Sequence, residues 1–206
     1  MLPTAFFLRP AAAVARDLVG ATLLVDGVGG VVVETEAYDR GDPASHSAAG
    51  PTARNAAMFG PPGRAYVYRS YGLHWCLNLV CGEAPGAAVL VRAIEPRHGL
   101  DAMRARRGPL ADRLLCSGPG RLCQALGVTR DLDAAPLDAA PFRVEPREGD
   151  ADVIAGPRVG ITRGADTPWR FCLAGSRFLS RRAGGGKEGR GSASSSAKGS
   201  PLETPP

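Results

Sequence analysis

Two apolar runs in this chain carry charges where a buried strand would normally exclude them. Val31-Val32-Val33-Glu34-Thr35-Glu36-Ala37-Tyr38 opens as a β-branched run suited to a buried strand, then sets two carboxylates just behind the triple valine. Ala87-Ala88-Val89-Leu90-Val91-Arg92-Ala93-Ile94 has an arginine set into it in the same way. An unpaired charge inside a sheet costs several kcal/mol, so such groups are paired, neutralised or solvated in a cleft. Glu36 and Arg92 can satisfy each other as a structural ion pair. Alternatively they face one polar cavity, where a carboxylate is a candidate for general acid–base chemistry. Glu34 is expected on the opposite face of the strand, in a structural role.

Between the two runs, Arg64-Ala65-Tyr66-Val67-Tyr68-Arg69-Ser70-Tyr71-Gly72 puts Tyr66 and Tyr68 on one strand face by the period of two. Tyr71-Gly72 interrupts that alternation, and a second run from Leu73 to Val80 contains Asn78. The pattern predicts a hairpin with an aromatic residue at or near its tip. Aromatic residues are only 6% of the chain, so a tyrosine cluster here stands out from its background.

The order of residues resembles a known family. Glu36-Ala37-Tyr38, His46-Ser47, Arg54-Asn55, Met58-Phe59, Tyr66-Val67-Tyr68, Tyr71-Gly72, Asn78, Arg92-Ala93-Ile94-Glu95-Pro96 and Cys116-Ser117-Gly118-Pro119 are similar to the alkyladenine (3-methyladenine) DNA glycosylases. The resemblance runs from about Phe6 to Ser180, and its many ordered matches make it more specific than a lone motif. It implies an α+β fold, a single mixed domain around a curved antiparallel sheet with a protruding β-hairpin. It also implies an enzyme that flips alkylated purines out of duplex DNA and hydrolyses the N-glycosidic bond with an activated water. On that reading Glu36 is the general base and Arg92 holds the water and the carboxylate. Tyr38 and Tyr68 stack on the base, with His46 as a polar partner and Leu90 in the pocket wall. The backbone at Val159 is a further ligand of the water, Asn78 lies against the purine edge, and Tyr71 fills the gap left in the DNA. Without the resemblance, two readings stand beside this one: a nucleic-acid-binding module with no catalysis, and a hydrolase of free nucleosides.

The chain has 206 residues and a formal charge of +5, enough for one cored domain and compatible with a polyanionic partner. All lysines lie beyond residue 186, so residues 1–182 offer no lysine amine for a Schiff base, which favours a water-using glycosylase without lyase activity. The five cysteines lack the tight paired spacing of zinc sites and are expected to be buried reduced thiols, with no metal and no cofactor. Arg9, Arg16 and Asp17 break the apolar start before it reaches the length of a secretory h-region, and no stretch is long enough to span a bilayer. The expectation is a cytoplasmic monomer, nucleoid-associated if bacterial, with damaged duplex DNA as its partner.

The elements that must position these residues follow in order. A short helix is predicted from Pro10 to Val19, with Gly20 as its stop. Strands over 21–25 and 31–33 are joined by a turn at 26–30, and residues 39–63 form a long loop tacked down by Met58-Phe59. Glu95-Pro96 ends the third long strand, and a basic helix over 99–107 offers its arginines as a phosphate track. A capped helix follows Ser117, residues 130–150 read as loop, and strands are expected at 158–161 and 169–173. From 183 to 206 the composition turns to Gly, Ser, Lys and Pro, predicting a disordered tail.

Overall fold

A computed structural model of the chain describes residues 1–183. The predicted tail falls, apart from Ala183, outside the described residues. Two short helices, α1 (Thr4–Phe7) and α2 (Ala11–Leu18), lead into the sheet. Pro10 sits one residue before α2, with extended ψ, and Val14, Ala15 and Leu18 bury the inner face.

Strands β1 (Thr22–Val25) and β2 (Val28–Tyr38) form a hairpin whose turn is only Asp26-Gly27, both with positive φ. That two-residue geometry matches the right-handed twist of its strands. Val28, Gly29 and Gly30, expected in the turn, belong to β2. A Cβ on Gly29 would lie 2.0 Å from the Leu23 carbonyl oxygen, so only glycine admits this approach of two backbones. Strands β3 (Ala65–Ser70), β4 (His74–Cys81) and β5 (Ala87–His98) follow. The β3–β4 hairpin agrees with the alternation, whereas β5 runs on through Pro96 to His98 instead of stopping at Glu95-Pro96.

Helices α3 (Leu100–Arg107), α4 (Asp112–Leu115) and α5 (Pro119–Leu126) come next. Ser117 caps nothing; Gly118 is the residue before α5, and Gly127 closes it with a left-handed φ of 75°. The segment 130–150, expected to be loop, contains a short 3₁₀ turn (Arg130–Leu132) and strand β6 (Phe142–Glu145). Strands β7 (Val153–Gly156) and β8 (Arg170–Leu173) complete the set. The predicted strand at 158–161 is irregular backbone.

All pairings are antiparallel, in the order β3-β4-β5-β2-β1-β6, with β8 pairing both β2 and β7. The fold is α+β, as expected. β2 is the hub: it pairs β5 on one side, and on the other β1 near its start and β8 near its end. One sheet face carries Leu23, Val67, Leu77, Val89 and Val91 into the main core with α2 and α5. The other carries Tyr66, Tyr68, Val80 and Ala88, against which Met58 pins the 39–63 loop. The sheet therefore separates an apolar core from a second face free to hold polar chemistry.

The β2–β5 ladder is irregular where the charges sit. Val32 faces Ile94, Glu34 faces Ala93 and Thr35 faces Val91, leaving Val33 and Arg92 without a register partner. Bulges of this kind re-aim side chains and recur beside active sites. Arg92 lies two residues beyond Leu90, the partner of Glu36, so alternation sets it on the face of both carboxylates, and the ladder loses its register just past it. Glu34 does not take the expected opposite face: residues two apart in a strand share a face, and Glu34 and Glu36 lie on either side of the Arg92 guanidinium. Thr35 faces the other way, its hydroxyl donating to the Ala15 carbonyl of α2 at 2.8 Å.

Candidate active site

On the polar face of the sheet opens a cavity of about 760 Å³. Every residue nominated from the sequence for catalysis, base binding or intercalation lines it. Glu36 and Tyr38 come from the end of β2, Tyr68 from β3, Asn78 from β4, and Leu90 and Arg92 from β5. His46 comes from the pinned loop, Val159 from the 157–161 segment, and Tyr71 from the hairpin tip. The chain has four tyrosines, and all four line this one cavity.

Glu36 is fully buried, and three donors hold it. The Val159 N–H donates to Oε1 at 2.7 Å, while the Tyr38 hydroxyl at 2.8 Å and Arg92 Nη1 at 3.2 Å donate to Oε2. A carboxylate has about four acceptor positions, so Oε1 retains room for another donor such as a water. Burial by itself favours loss of the Arg92 proton, but Glu36 and Glu34 outweigh it and the guanidinium holds its proton more tightly than usual. Burial, the Glu36 charge and the hydrogen bond to it push the Tyr38 phenol well up, so Tyr38 is a donor at neutral pH.

The aromatic wall is built by strand alternation. Tyr66 and Tyr68 stack at 5.4 Å, and His46 meets Tyr68 edge-on at 4.5 Å. The His46 Nδ1 is 3.0 Å from the Tyr66 hydroxyl. Burial, and then the nearby Arg54 charge, lower the His46 pKa, so the imidazole is neutral at pH 7. Burial pushes Tyr66 up to about 12. Asn78 donates from Nδ2 to the Tyr66 carbonyl at 3.0 Å, which ties the two hairpin strands together and leaves its Oδ1 as an acceptor at the cavity.

Two features had no clear signal in the sequence. Asp42 and Arg158 form a buried, two-pronged ion pair between the 39–63 loop and the segment carrying Val159. Arg158 also donates to the Ala37 carbonyl at 2.9 Å and lies over the Tyr38 ring, 4.7 Å from its centroid. This clamp brings the Val159 N–H to Glu36 from 123 residues away in sequence. The second is Glu34, tied to both Arg92 and Arg170.

The α3 arginines are engaged within the protein. Arg104 pairs with Asp101 and Asp112, Arg106 donates to the Ala125 carbonyl at the end of α5, and Arg107 donates to the Leu114 and Leu115 carbonyls. They close helix ends against α4 and α5, which argues against the expected phosphate track. All five cysteines are buried free thiols. Among the described residues no cluster of three His, Cys, Asp or Glu could hold a metal, and no helix is long and apolar enough to cross a membrane.

A family model described as methylpurine-DNA glycosylase matches residues 5–177. The chain belongs to the methylpurine-DNA glycosylase family. Relatives named "Putative 3-methyladenine DNA glycosylase" agree with this. The Granulibacter bethesdensis protein is 61% identical over 183 residues, covering 87% of each chain. The Nitrobacter winogradskyi protein is 62% identical over 181 residues, again covering 87% of each. The Rhizobium meliloti protein is 62% identical over 177 residues, covering 86% of this chain and 95% of its own. Family membership makes the chain a DNA glycosylase of the 3-methyladenine type, a hydrolase of DNA repair, and gives the cavity its context.

Proposed function

We propose that the cavity receives an alkylated purine nucleotide flipped out of duplex DNA, and that Glu36 activates a water for attack on C1′. Cleaving the N-glycosidic bond builds positive charge on the sugar. A carboxylate beside it stabilises that charge and takes the water's proton as the new C–O bond forms. The purine leaves with the bonding electron pair, and an alkylated purine, already cationic, leaves as a neutral base. Arg92 and the backbone at Val159 orient the water and the carboxylate. Tyr38 and Tyr68 stack on the cationic base, whose charge favours electron-rich rings. Leu90 supplies the apolar wall and His46 a hydrogen bond to the base. Asn78 presents an amide that disfavours the 2-amino group of guanine. Tyr71 enters the gap in the duplex.

The observation that carries this reading is the Glu36 carboxylate, fully buried yet on a cavity wall and held by three donors. Residues 1–186 hold no lysine, which supports hydrolysis without a Schiff-base lyase step. Deaminated purines such as hypoxanthine fit the same stacking, but as neutral bases they depend on protonation as they leave. The enzyme acts as a monomer on damaged duplex DNA in the cytoplasm.

Free-base release from alkylated duplex DNA tests the proposal. Glu36→Gln keeps the shape, loses the charge and the base, and should slow release by about 10²–10⁴-fold while lesion DNA still binds. Near-normal turnover in this variant would overturn the role of Glu36. Equal activity on free methylated nucleosides and on duplex would favour a nucleoside hydrolase.

A further inference from the structure

Behind Arg92, away from Glu36, lies a carboxylate that the proposed reaction does not use. Glu34 has no exposed surface and accepts four hydrogen bonds. Arg92 Nε at 2.9 Å, Arg170 Nε at 2.7 Å and the Ser180 hydroxyl at 2.8 Å converge on Oε1, and the Ser180 N–H reaches Oε2 at 2.6 Å. The Ser180 hydroxyl also accepts from Arg92 Nη2 at 3.2 Å. Arg170 binds the carbonyls of Arg181 and Arg182. Phe178 is buried with Val33 and Ala93 beside the paired bulges. The chain after β8 is thus a strap, anchored by Phe178 and fastened at Ser180 to the charged centre.

We propose that Glu34 and Ser180 form a latch by which this C-terminal strap fixes the plane of the Arg92 guanidinium. They are positioning residues, and the inference rests on the reading of Arg92 and Glu36 given above. Arg92 sits on a long side chain, at a bulge where no register partner fixes its direction. A free guanidinium takes a carboxylate with both prongs, filling both oxygens. In the latched geometry Nε belongs to Glu34 and Nη2 to Ser180. Only Nη1 reaches Glu36, and only at Oε2. Because the group is planar, fixing two nitrogens fixes the third. The latch therefore keeps Arg92 from closing over Oε1, the oxygen left to take a water. Two carboxylates and two guanidinium groups share the cluster, so its net charge is zero and Glu34 carries the shorter pairs.

Ser180→Ala removes the hydroxyl and keeps the backbone bond to Glu34. Single-turnover base release should fall roughly tenfold, the loss of one charge-assisted hydrogen bond in the transition state, with lesion-DNA affinity unchanged and the melting temperature lower by only a few degrees. Ser180→Thr, which retains the hydroxyl, should restore the rate. A second readout does not depend on activity: hydrogen exchange at the Arg92 Nε–H, followed by ¹⁵N NMR, should accelerate in Ser180→Ala and return to the parent value in Ser180→Thr. Unchanged exchange in Ser180→Ala overturns the latch, as does an unchanged rate of base release. If the parent releases no base from alkylated duplex, the functional reading fails and the exchange measurement alone decides the latch.

Discussion

Tyr71 is the residue whose own conformation argues for a task. It is 91% exposed and holds φ +49°, a region where a bulky side chain costs roughly 1–2 kcal/mol. A glycine would be unstrained at this position. Tyr71→Gly is therefore expected to raise the stability of the fold by about 1 kcal/mol in urea unfolding while slowing excision from duplex DNA. The kinetic loss should shrink on an unpaired target, where unstacking costs less. A variant that is less stable, with equal losses on both substrates, would make Tyr71 a packing residue. Asn78 is also tested by its substrate dependence, because its amide both ties the hairpin and faces the cavity. Asn78→Ser should raise excision of 7-methylguanine relative to 3-methyladenine by about 5–150-fold, the range for 1–3 kcal/mol of lost discrimination. Equal falls for both bases would assign it to the fold alone.

Among the elements, strands were more legible than the segments that bring distant loops to them. The β3–β4 hairpin could be read because Tyr66 and Tyr68 alternate with core residues and Tyr71-Gly72 breaks the pattern. The Glu36–Arg92 pairing could be read because charges interrupt apolar runs. β6 and β7 read as loop because breakers surround them, Pro141 and Pro146 at the first and Gly149 and Gly156-Pro157 at the second. The valine-containing run at 158–161 reads as a strand, but Arg158 serves the clamp and Gly160, with φ 78°, bends the chain there. The bulges leave no trace in composition, since one residue in a ladder changes register without changing residue type. Nor does Asp42 announce its partner 116 residues away. The clamp is testable at this scale. Arg158 has no exposed side-chain surface, so Asp42→Ala strands a buried cation and should cost about 3–5 kcal/mol in denaturant unfolding. Adding Arg158→Met should recover much of that stability without recovering base release, because the Val159 segment would no longer be held to the loop. Recovery of both would mean that the clamp serves stability alone.

At the scale of the whole molecule, the site draws on nearly the full length of the described chain, from Glu34 on β2 to Ser180 on the strap. Truncation can therefore separate what the fold requires from what it does not. Ending the chain after Ala183 should leave the melting temperature and the excision rate at their full-length values, because the residues removed are mostly Gly, Ser, Lys and Pro. Ending it after Gly175 removes the buried Phe178 and the Ser180 bonds, and should lower both; thermal unfolding and single-turnover assays of the two forms check this. The concentration of all four tyrosines in one cavity has a further consequence. Feeding ring-labelled tyrosine to an expression culture would produce a protein with four labelled rings, every one of them a witness to the same event. Two lie against the stack, one touches the carboxylate and one stands at the rim. Titrating in damaged DNA would then reveal the order in which rim, wall and floor respond, with no foreign reporter attached and no background from the rest of the fold.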